Sequence, residues 1–540
     1  MTLTLFCGGT VWTGVAENLL TNALAIEGNT IIALGEDALA LESSADEVID
    51  LADGLLIPAF GDGHMHPIFG GLEEIGPKIT QSENLQELLM EVKRYADENP
   101  DKEWIIGASY KSWFVEGGNF DAKWLDDVVP DRPVVLRAND YHTIWCNSKA
   151  LELSGVNQLT PNPALGEIVH RADGSVMGTM REWGAVNLIL DNAPAIAQDE
   201  FNLAFKTANR HLGENGITWA QDAWVDEGAP ENYLEAMSSD YFGVRYNLAL
   251  RADPVNWRKQ ILWFTATRDL VGDKPHLTCR TIKFFVDGVI EGGTAALKKA
   301  YLDAPESVGM PCWSWEELTE AVIAVDALGF QPHLHAIGDE GIFQALNAIE
   351  AAQLKNGARS HPRPVITHVQ LVDPVDLKRF ADLKVIANFE PLWACDDPLQ
   401  SHLTTPRLGP ERASWQYPIN SLIENGSAIS FGSDWPVSTL RPLDCLEIAV
   451  TRTHQLAEEP KPWMPDERIS VDQALSAYTY GTAFQAGDET HRGRLSVGFD
   501  ADLVLLDRNI REIDPQDIHT AKILGTWILG TRIFTNEKSR

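Results

Sequence analysis

Hydrophobic and polar residues alternate at both ends of the chain, in the period-two pattern that is typical of β-strands. Near the N-terminus this pattern runs through TLTLFCGGTVWTG (2–14), ALAIEGNTIIALGE (23–36) and EVIDLADGLLIPAF (47–60). It returns in GRLSVGFDADLVLLD (493–507) and ILGTWILGTRIFTN (523–536). We therefore predict a small β-sandwich that both chain termini build together, from residues 1–54 and 485–540.

The middle of the chain alternates short apolar segments with amphipathic helical patterns such as SWEELTEAVIAVDALG (314–329). The strand-like segments are 216–224, 244–250, 280–288, 330–339, 364–370, 384–391 and 428–436. Repeated βα units predict a parallel sheet with helices outside it. With GLLIPAFGDGHMHP (54–67) as the first strand, the sheet has eight strands. That count favours a closed (β/α)8, TIM-like barrel of the α/β class, to which we assign residues 55–484.

Residues 70–195 are too long for a simple connection between the first two barrel strands. This segment contains its own strand patterns, EWIIGAS and PVVLRAND, and turn signals such as RADGSVMG. It follows the C-terminal end of a barrel strand. We therefore expect an insertion that covers the C-terminal face of the barrel, where barrel enzymes place their active sites.

Composition and charge narrow the possible partners. The 540 residues include 43 Lys and Arg against 78 Asp and Glu, a formal charge of −35, which argues against nucleic acid or anionic membranes as partners. No apolar run reaches the ~18 residues of a membrane span, and the N-terminus has no secretory pattern. Six dispersed cysteines suit a reducing compartment. We expect a cytoplasmic protein that acts on a small molecule. We also expect a homodimer, because homodimers are the commonest oligomers of soluble proteins.

Imidazole and carboxylate side chains follow several of the predicted barrel strands. His64 and His66 lie two residues apart at the end of the first strand, so they share one side of it. His335, His368 and Asp434 each follow a later apolar strand. In a closed barrel these groups converge above one end, and they are ligands that catalytic Zn²⁺ prefers. A buried structural role explains any one of them alone, but four separate strand ends favour a metal site.

Two further polar residues leave alternatives open. His333 shares a strand face with His335 and is either a ligand or a hydrogen-bond partner of one. Lys283 lies within the apolar RTIKFFVDG, where a charged ammonium is costly. It is neutral through a lowered pKa, paired with Asp287, or carbamylated by CO₂ to give an anionic ligand that bridges two metals.

The whole motif set resembles the amidohydrolase superfamily, in its amidohydrolase-3 branch, which includes N-substituted formamide deformylase. The resemblance covers nearly the whole chain and rests on GHMH, HAIGD, FGSDWPVS, DYHTIWCNSKALELSGV, GSVMGTMRE and GRLSVGFDADLVLLD. Two features differ from the family pattern. Position 59 is Ala where the family more often has Gly, and position 61 is Gly where it more often has an aliphatic residue. Position 293 is Gly where relatives often have a larger polar residue.

The resemblance implies a pair of divalent ions, with Zn²⁺ expected and Mn²⁺ or Fe²⁺ as alternatives. The implied metal ligands are His64, His66, Lys283, His335, His368 and Asp434. In the family pattern His64, His66 and Asp434 bind the more buried ion, His335 and His368 bind the second, and a carboxylated Lys283 bridges both. Asp434 also carries the proton during catalysis, and His142 contacts the substrate or its oxyanion.

These observations predict a metal-dependent hydrolase that cleaves a non-peptide C–N bond of a small N-substituted amide through a metal-activated hydroxide. Tryptophans near the predicted strand ends and in the insertion indicate an apolar or aromatic substrate. They are Trp113, Trp183, Trp224, Trp393 and Trp435, of which we expect Trp113 and Trp393 to contact the substrate. The alternatives are a cyclic amide, carbamate, ester, lactone or deaminase substrate at the same metal site, and a non-catalytic regulatory barrel.

Overall fold

The fold was analysed in a computed structural model that describes residues 2–16, 19–237, 241–456 and 461–536. The strands are β1 (Leu3–Trp12), β2 (Leu20–Glu27), β3 (Thr30–Leu34), β4 (Glu47–Asp50), β5 (Leu55–Pro58), β6 (Phe60–Met65), β7 (Ile105–Tyr110), β8 (Val134–Ala138), β9 (Thr143–Cys146), β10 (Glu167–His170), β11 (Val176–Arg181), β12 (Ile217–Val225), β13 (Arg245–Arg251), β14 (Leu277–Phe285), β15 (Gln331–Ala336), β16 (Val365–His368), β17 (Ile386–Phe389), β18 (Ala428–Phe431), β19 (Leu503–Leu506), β20 (Ile523–Ile528) and β21 (Thr531–Thr535).

The helices are α1 (Glu36–Leu39), α2 (Pro67–Ile75), α3 (Leu85–Glu98), α4 (Ala122–Asp126), α5 (Ser148–Leu153), α6 (Glu182–Leu190), α7 (Gln198–Glu214), α8 (Ala229–Ala236), α9 (Trp257–Val271), α10 (Trp315–Ala327), α11 (Asp339–Asn356), α12 (Leu377–Asp382), α13 (Thr405–Ala413), α14 (Ile419–Glu424), α15 (Pro442–Thr451), α16 (Val471–Ser476) and α17 (Thr482–Ala486). Short 3₁₀ or π turns connect several of them, and the π turn Ala477–Gly481 joins α16 to α17. Among the described residues, no helix combines the length and the hydropathy needed to cross a bilayer.

Eight parallel strands form the barrel in the order β6, β12, β13, β14, β15, β16, β17, β18, as the sequence predicted. The first and last strands, β6 and β18, are joined by backbone hydrogen bonds between residues at and just beyond their C-terminal ends. The Asp434 N–H donates to the His64 carbonyl at 2.8 Å, and the His66 N–H donates to the Trp435 carbonyl at 2.8 Å. The backbone itself therefore fixes the spacing of three predicted ligands.

Helix α10 illustrates how the sequence forms the outer layer. The Ser314 hydroxyl caps its N-terminus by accepting the Glu317 N–H at 3.3 Å. Its buried residues are Leu318, Ala321, Val322 and Val325. This i, i+3, i+4, i+7 spacing places one apolar stripe against the barrel.

The predicted first barrel strand, 54–67, is wrong in its extent. The chain changes sheets at Pro58: β5 pairs with β1 and β19, and only β6 enters the barrel. Both halves are buried, and the residues around the switch, LLIPAF (55–60), include no polar side chain that would mark it. Because β5 lies between β1 and β19, strands from the two ends of the chain are neighbours in one sheet of eight strands.

The insertion after β6 contains a sheet of five strands in the order β10, β11, β9, β8, β7. The two strands predicted in it are present as β7 and β8. Trp113 and residues 139–142 of this segment line the cavity at the C-terminal end of the barrel. The insertion therefore supplies one wall of the candidate site.

A belt of polar side chains fills the barrel interior below the predicted ligands. Asn247 Nδ2 donates to Gln221 Oε1 and to Thr281 Oγ1, each at 2.7 Å. Thr281 in turn donates to Gln331 Oε1 at 3.0 Å. At the last strands the Asn388 amide donates to Ser430 Oγ at 2.9 Å. All these side chains are buried and hydrogen-bonded to one another. Because a shifted strand would leave buried polar groups without partners, this belt favours one alignment of the strands.

Candidate metal centre

The six predicted metal ligands converge at the C-terminal end of the barrel. They lie on β6, β14, β15 and β16 or just after β6 and β18, and all of them are buried. They line a cavity of about 390 Å³. The cavity also contains the other predicted site residues, so its lining includes His64, His66, Trp113, His142, Lys283, His335, His368, Trp393 and Asp434.

His64, His66 and Asp434 form the tightest part of the cluster. Asp434 Oδ1 lies 2.9 Å from His66 Nε2 and 3.5 Å from His64 Nε2. The potential ligand atoms of the three residues all lie within 4.8 Å of one another. The Asp434 Oδ1 atom is buried and accepts no hydrogen bond from a described donor. A buried carboxylate oxygen without a donor beside two imidazoles fits a divalent cation.

Unusual backbone conformations hold two of the ligands. Asp434 and His368 have positive φ values of 52° and 74°. Such values cost energy in residues other than glycine, and they persist only where surrounding structure enforces them. Close packing contributes to this constraint, since a Cβ on Gly432 would lie 2.7 Å from the His64 nitrogen.

His64 is oriented by His333. His64 Nδ1 lies 2.8 Å from His333 Nε2, which leaves His64 Nε2 facing Asp434. Burial lowers the pKa of both rings well below the usual range, and the charge of Lys283 lowers it further. Both imidazoles are therefore neutral, which is the form that binds metals. Of the two roles open to His333, its geometry fits the hydrogen-bond partner.

His335 and His368 form the second part of the cluster, with ring centroids 4.5 Å apart. His335 Nε2 lies 3.3 Å from the Gly288 carbonyl, and His368 Nδ1 lies 2.8 Å from Glu390 Oε2. Burial lowers the pKa of His368 to about 3 and raises that of Glu390 well above its usual range. The remaining nitrogens, Nδ1 of His335 and Nε2 of His368, are free for a metal.

Lys283 is fully buried among these groups. Its Nζ lies 3.4 Å from His64 Nε2 and 4.7 Å from the centroid of the Phe285 ring. Burial lowers its pKa to about 7, against the opposing charges of Asp434 and Glu390. The alternative of an ion pair with Asp287 is wrong. The Asp287 carboxylate instead accepts backbone N–H groups of 296, 337 and 338 at 2.8 to 3.0 Å.

His142 reaches the cavity from the insertion. Its Nδ1 lies 3.0 Å from Glu182 Oε2, and its ring centroid lies 5.4 Å from that of His335. Burial lowers the pKa of His142, but the charge and hydrogen bond of Glu182, together with the charges of Asp140 and Glu291, outweigh this and leave the pKa raised. Glu182 fits because residue 288 is a glycine, where a Cβ would lie 2.5 Å from Glu182 Oε1. The imidazole is thus held as a hydrogen-bond donor towards the cavity.

Three of the five tryptophans named from the sequence line the cavity: Trp113, Trp224 and Trp393. Trp393 stacks on His368, with an interplanar angle of 13° and centroids 5.3 Å apart. Trp183 packs behind the wall against Trp224 at 4.5 Å, and Trp435 packs beside the backbone of Gly70. An aromatic cavity wall is therefore present, although Trp183 and Trp435 are not part of the lining.

Sequence reasoning missed Glu390 and Glu182, which orient His368 and His142. Glu390 directly follows β17, so the strand-end position that identified the ligands also applies to it. Glu182 lies in the insertion, where no regular spacing marks it. Its partner is 40 residues away along the chain.

We predict that Glu390→Gln weakens metal binding without unfolding the protein. An amide can still bond His368 Nδ1 but no longer raises the basicity of the imidazole, and such partners contribute about 10- to 100-fold in metal affinity. Competition for Zn²⁺ with a fluorescent chelator measures the effect. Glu489→Gln, a carboxylate bonded to Arg363 outside the cavity, is the control and should bind as the wild type does. Unchanged zinc affinity in Glu390→Gln would contradict this role.

Comparisons with known proteins agree with the arrangement. The model of a family described as "Amidohydrolase family" matches residues 47–534. Protein LONG AFTER FAR-RED 3 of Arabidopsis thaliana is 28% identical, over 98% of this chain and 91% of that protein. N-substituted formamide deformylase of Arthrobacter pascens is 24% identical, over 95% of each. An uncharacterized metal-dependent hydrolase of Pyrococcus furiosus is 25% identical, with a TM-score of 0.72 over 94% of this chain and 100% of that one.

Proposed function

Because the chain belongs to the amidohydrolase family, we propose that it hydrolyses the exocyclic C–N bond of a small linear amide with an apolar or aromatic N-substituent. The family and its neighbours make the protein a metal-dependent hydrolase of carbon–nitrogen bonds. The substrate class is our proposal. The observation that carries the proposal as a whole is the buried cluster of His64, His66 and Asp434 in a cavity that aromatic side chains line.

Six side chains would hold two divalent ions, which we propose to be Zn²⁺. His64, His66 and Asp434 would hold one, and His335 and His368 the other. Such ions lower the pKa of a water molecule to about 7 from ~15.7 and polarise a carbonyl group. The neutral state of the imidazoles, which burial enforces, suits this role.

Lys283, with CO₂ added to its Nζ, would serve as a ligand to both ions. The addition forms an N–C bond, releases one proton and converts the side chain into an anion with two oxygens. Its support is geometric, since Lys283 lies 3.4 Å from His64 Nε2 and forms no ion pair with a described carboxylate. A carboxylated lysine would also remove the cost of a buried ammonium.

The chain's own residues carry the proton and orient the substrate. Asp434 accepts the proton of the attacking water, whose oxygen bonds to the amide carbon. The C–N bond then breaks, and Asp434 returns the proton to the leaving nitrogen. His142, held by Glu182, donates a hydrogen bond to the carbonyl oxygen as negative charge develops there. Trp393 and Trp224 pack against the N-substituent and exclude water.

A substrate panel tests the function. The zinc-loaded full chain is assayed with N-benzylformamide and formanilide as linear amides. A hydantoin, a lactone, a carbamate, an aryl ester and a nucleobase represent the alternatives. We expect turnover of the linear amides with the highest kcat/KM, and no turnover by His335→Ala. A higher kcat/KM for a cyclic amide or for the nucleobase would overturn the proposed substrate class.

A further inference from the structure

The candidate cavity contains more carboxylates than the metal centre uses. Its lining includes Asp140, Glu291, Asp397, Asp434 and Asp444. Among the described residues, the lining includes no arginine and a single lysine, Lys283. With Asp434 and Lys283 assigned to the metal centre, the four remaining carboxylates outnumber the positive groups of the lining, where His142 is an imidazole with a raised pKa. The cavity therefore favours a ligand that brings positive charge.

Most of these carboxylates are held by groups of the protein. Asp140 accepts two backbone N–H groups, each at 2.9 Å. Asp397 accepts the backbone N–H of Gln400 at 2.8 Å. Asp444 lies 3.1 Å from an Arg441 nitrogen. These three have structural partners that account for their positions.

Glu291 has no such partner. It lies in a tight turn after β14, closed by the Gly293 N–H donating to the Ile290 carbonyl at 2.9 Å. Within the part of the chain that the structure describes, no hydrogen bond or ion pair from another residue reaches its carboxylate. Burial raises the pKa of Glu291 to about 7, and its own backbone N–H and the charges of His142 and Arg407 oppose this rise. The neighbouring guanidinium, Arg407, lies 3.2 Å from Asp303 instead. The turn thus presents to the cavity a buried carboxylate that accepts no hydrogen bond from another described residue.

A second acceptor in the lining also lacks a donor. Gln400 is 4% exposed, and its Oε1 accepts no hydrogen bond from a described group. Its Nε2 donates to the Tyr417 hydroxyl at 3.4 Å. Glu291, Gln400 and Tyr417 all line the same cavity. Buried acceptors of this kind are normally satisfied, which points to a ligand that donates N–H groups.

We propose that the substrate amide carries a protonated amine, which Glu291 binds as its counter-ion and Gln400 Oε1 binds as a hydrogen-bond acceptor. This inference rests on the proposed hydrolysis in the same cavity and specifies its substrate. The rings of Trp113 and Trp393, which also line the cavity, can stabilise the cation through their faces.

Three formamides with the same scissile bond test the proposal. They are benzylformamides whose para substituent is aminomethyl, hydroxymethyl or carboxylate, so that they differ in charge and little in shape. We expect kcat/KM to fall in the order ammonium, neutral, carboxylate, with about a tenfold advantage of the ammonium over the neutral compound, as a charge-assisted hydrogen bond provides. Equal values, or a preference for the carboxylate, would overturn the proposal.

Variants assign the preference to Glu291. Glu291→Gln should lose about tenfold in kcat/KM for the ammonium substrate, mainly through KM, and stay within about twofold for the neutral one. Glu306→Gln removes one charge from an exposed loop position and should retain the wild-type preference. Equal losses by Glu291→Gln on all three substrates would indicate a structural role and contradict the assignment.

A binding measurement separates this inference from the proposed hydrolysis. Calorimetry of the zinc-loaded full chain at neutral pH uses benzylammonium, which donates N–H groups and whose protonated nitrogen has no lone pair for a metal, and benzyl alcohol as its neutral counterpart. We expect the cation to bind about fivefold more tightly or better, and Glu291→Gln to remove the difference. If none of the formamides turns over but this preference appears, the proposed reaction fails and the cation site stands. If the amides turn over without the preference, the proposed reaction stands and the cation site fails.

Discussion

Asp434→Asn is expected to lower kcat for a linear amide by about 10³-fold or more, because the asparagine amide can neither accept a proton nor offset metal charge. Asp434 is 6% exposed, and its Oδ1 lies between the two imidazole nitrogens of His64 and His66. The substitution is nearly isosteric, so the fold should persist. Steady-state kinetics on zinc-loaded protein measure the effect, and thermal melting verifies the fold.

Asp444→Asn provides the matched control. Asp444 also lines the cavity and is buried, but its carboxylate pairs with Arg441 instead of the imidazoles. This variant should retain a kcat within about threefold of the wild type. If Asp434→Asn kept more than about a tenth of the wild-type rate, Asp434 would not be the proton carrier.

Lys283→Met should reduce the bound zinc from two ions to one and lower kcat by about 10²-fold or more. Methionine matches the length and burial of the lysine stem but cannot form a carbamate. Inductively coupled plasma spectrometry gives the ratio of metal to protein. Carbon NMR with labelled CO₂ should reveal a carbamate in the wild type and none in this variant.

Two controls make the Lys283 result specific. Lys283→Ala leaves a space that a small carboxylate such as acetate can occupy, so acetate should partly restore zinc content and rate in that variant. Lys298→Met removes a lysine that pairs with Asp373 and Asp376, outside the cavity lining, and should keep full metal content. Unaltered zinc content and rate in Lys283→Met would contradict a bridging carbamate.

The sequence predicted the barrel and the convergence of its polar strand ends because both depend on local pattern. An apolar strand followed by His or Asp marks a position at one end of a parallel barrel, and His335, His368 and Asp434 all satisfy this rule. The eight strand positions follow from repeated changes between period two and helical spacing.

Features that depend on distant partners were not predictable in this way. The switch of sheets at Pro58 depends on pairing with β19, a segment more than 400 positions away. The belt of Asn247, Thr281 and Gln331 consists of polar residues within otherwise apolar strands, and only the closed barrel shows that they bond each other. The role of Glu182 is likewise visible only in the structure, where the insertion places His142 over the strand ends and Glu182 hydrogen-bonds its ring.

Anomalous diffraction at the zinc edge, from crystals of the full chain soaked in Zn²⁺, tests the central claim most directly. We predict two peaks within the cavity, one beside His64, His66 and Asp434 and the other beside His335 and His368, with continuous density from the Lys283 side chain to both. Zinc peaks confined to surface carboxylates, with none among these six side chains, would contradict the metal centre from which the proposed hydrolysis is derived.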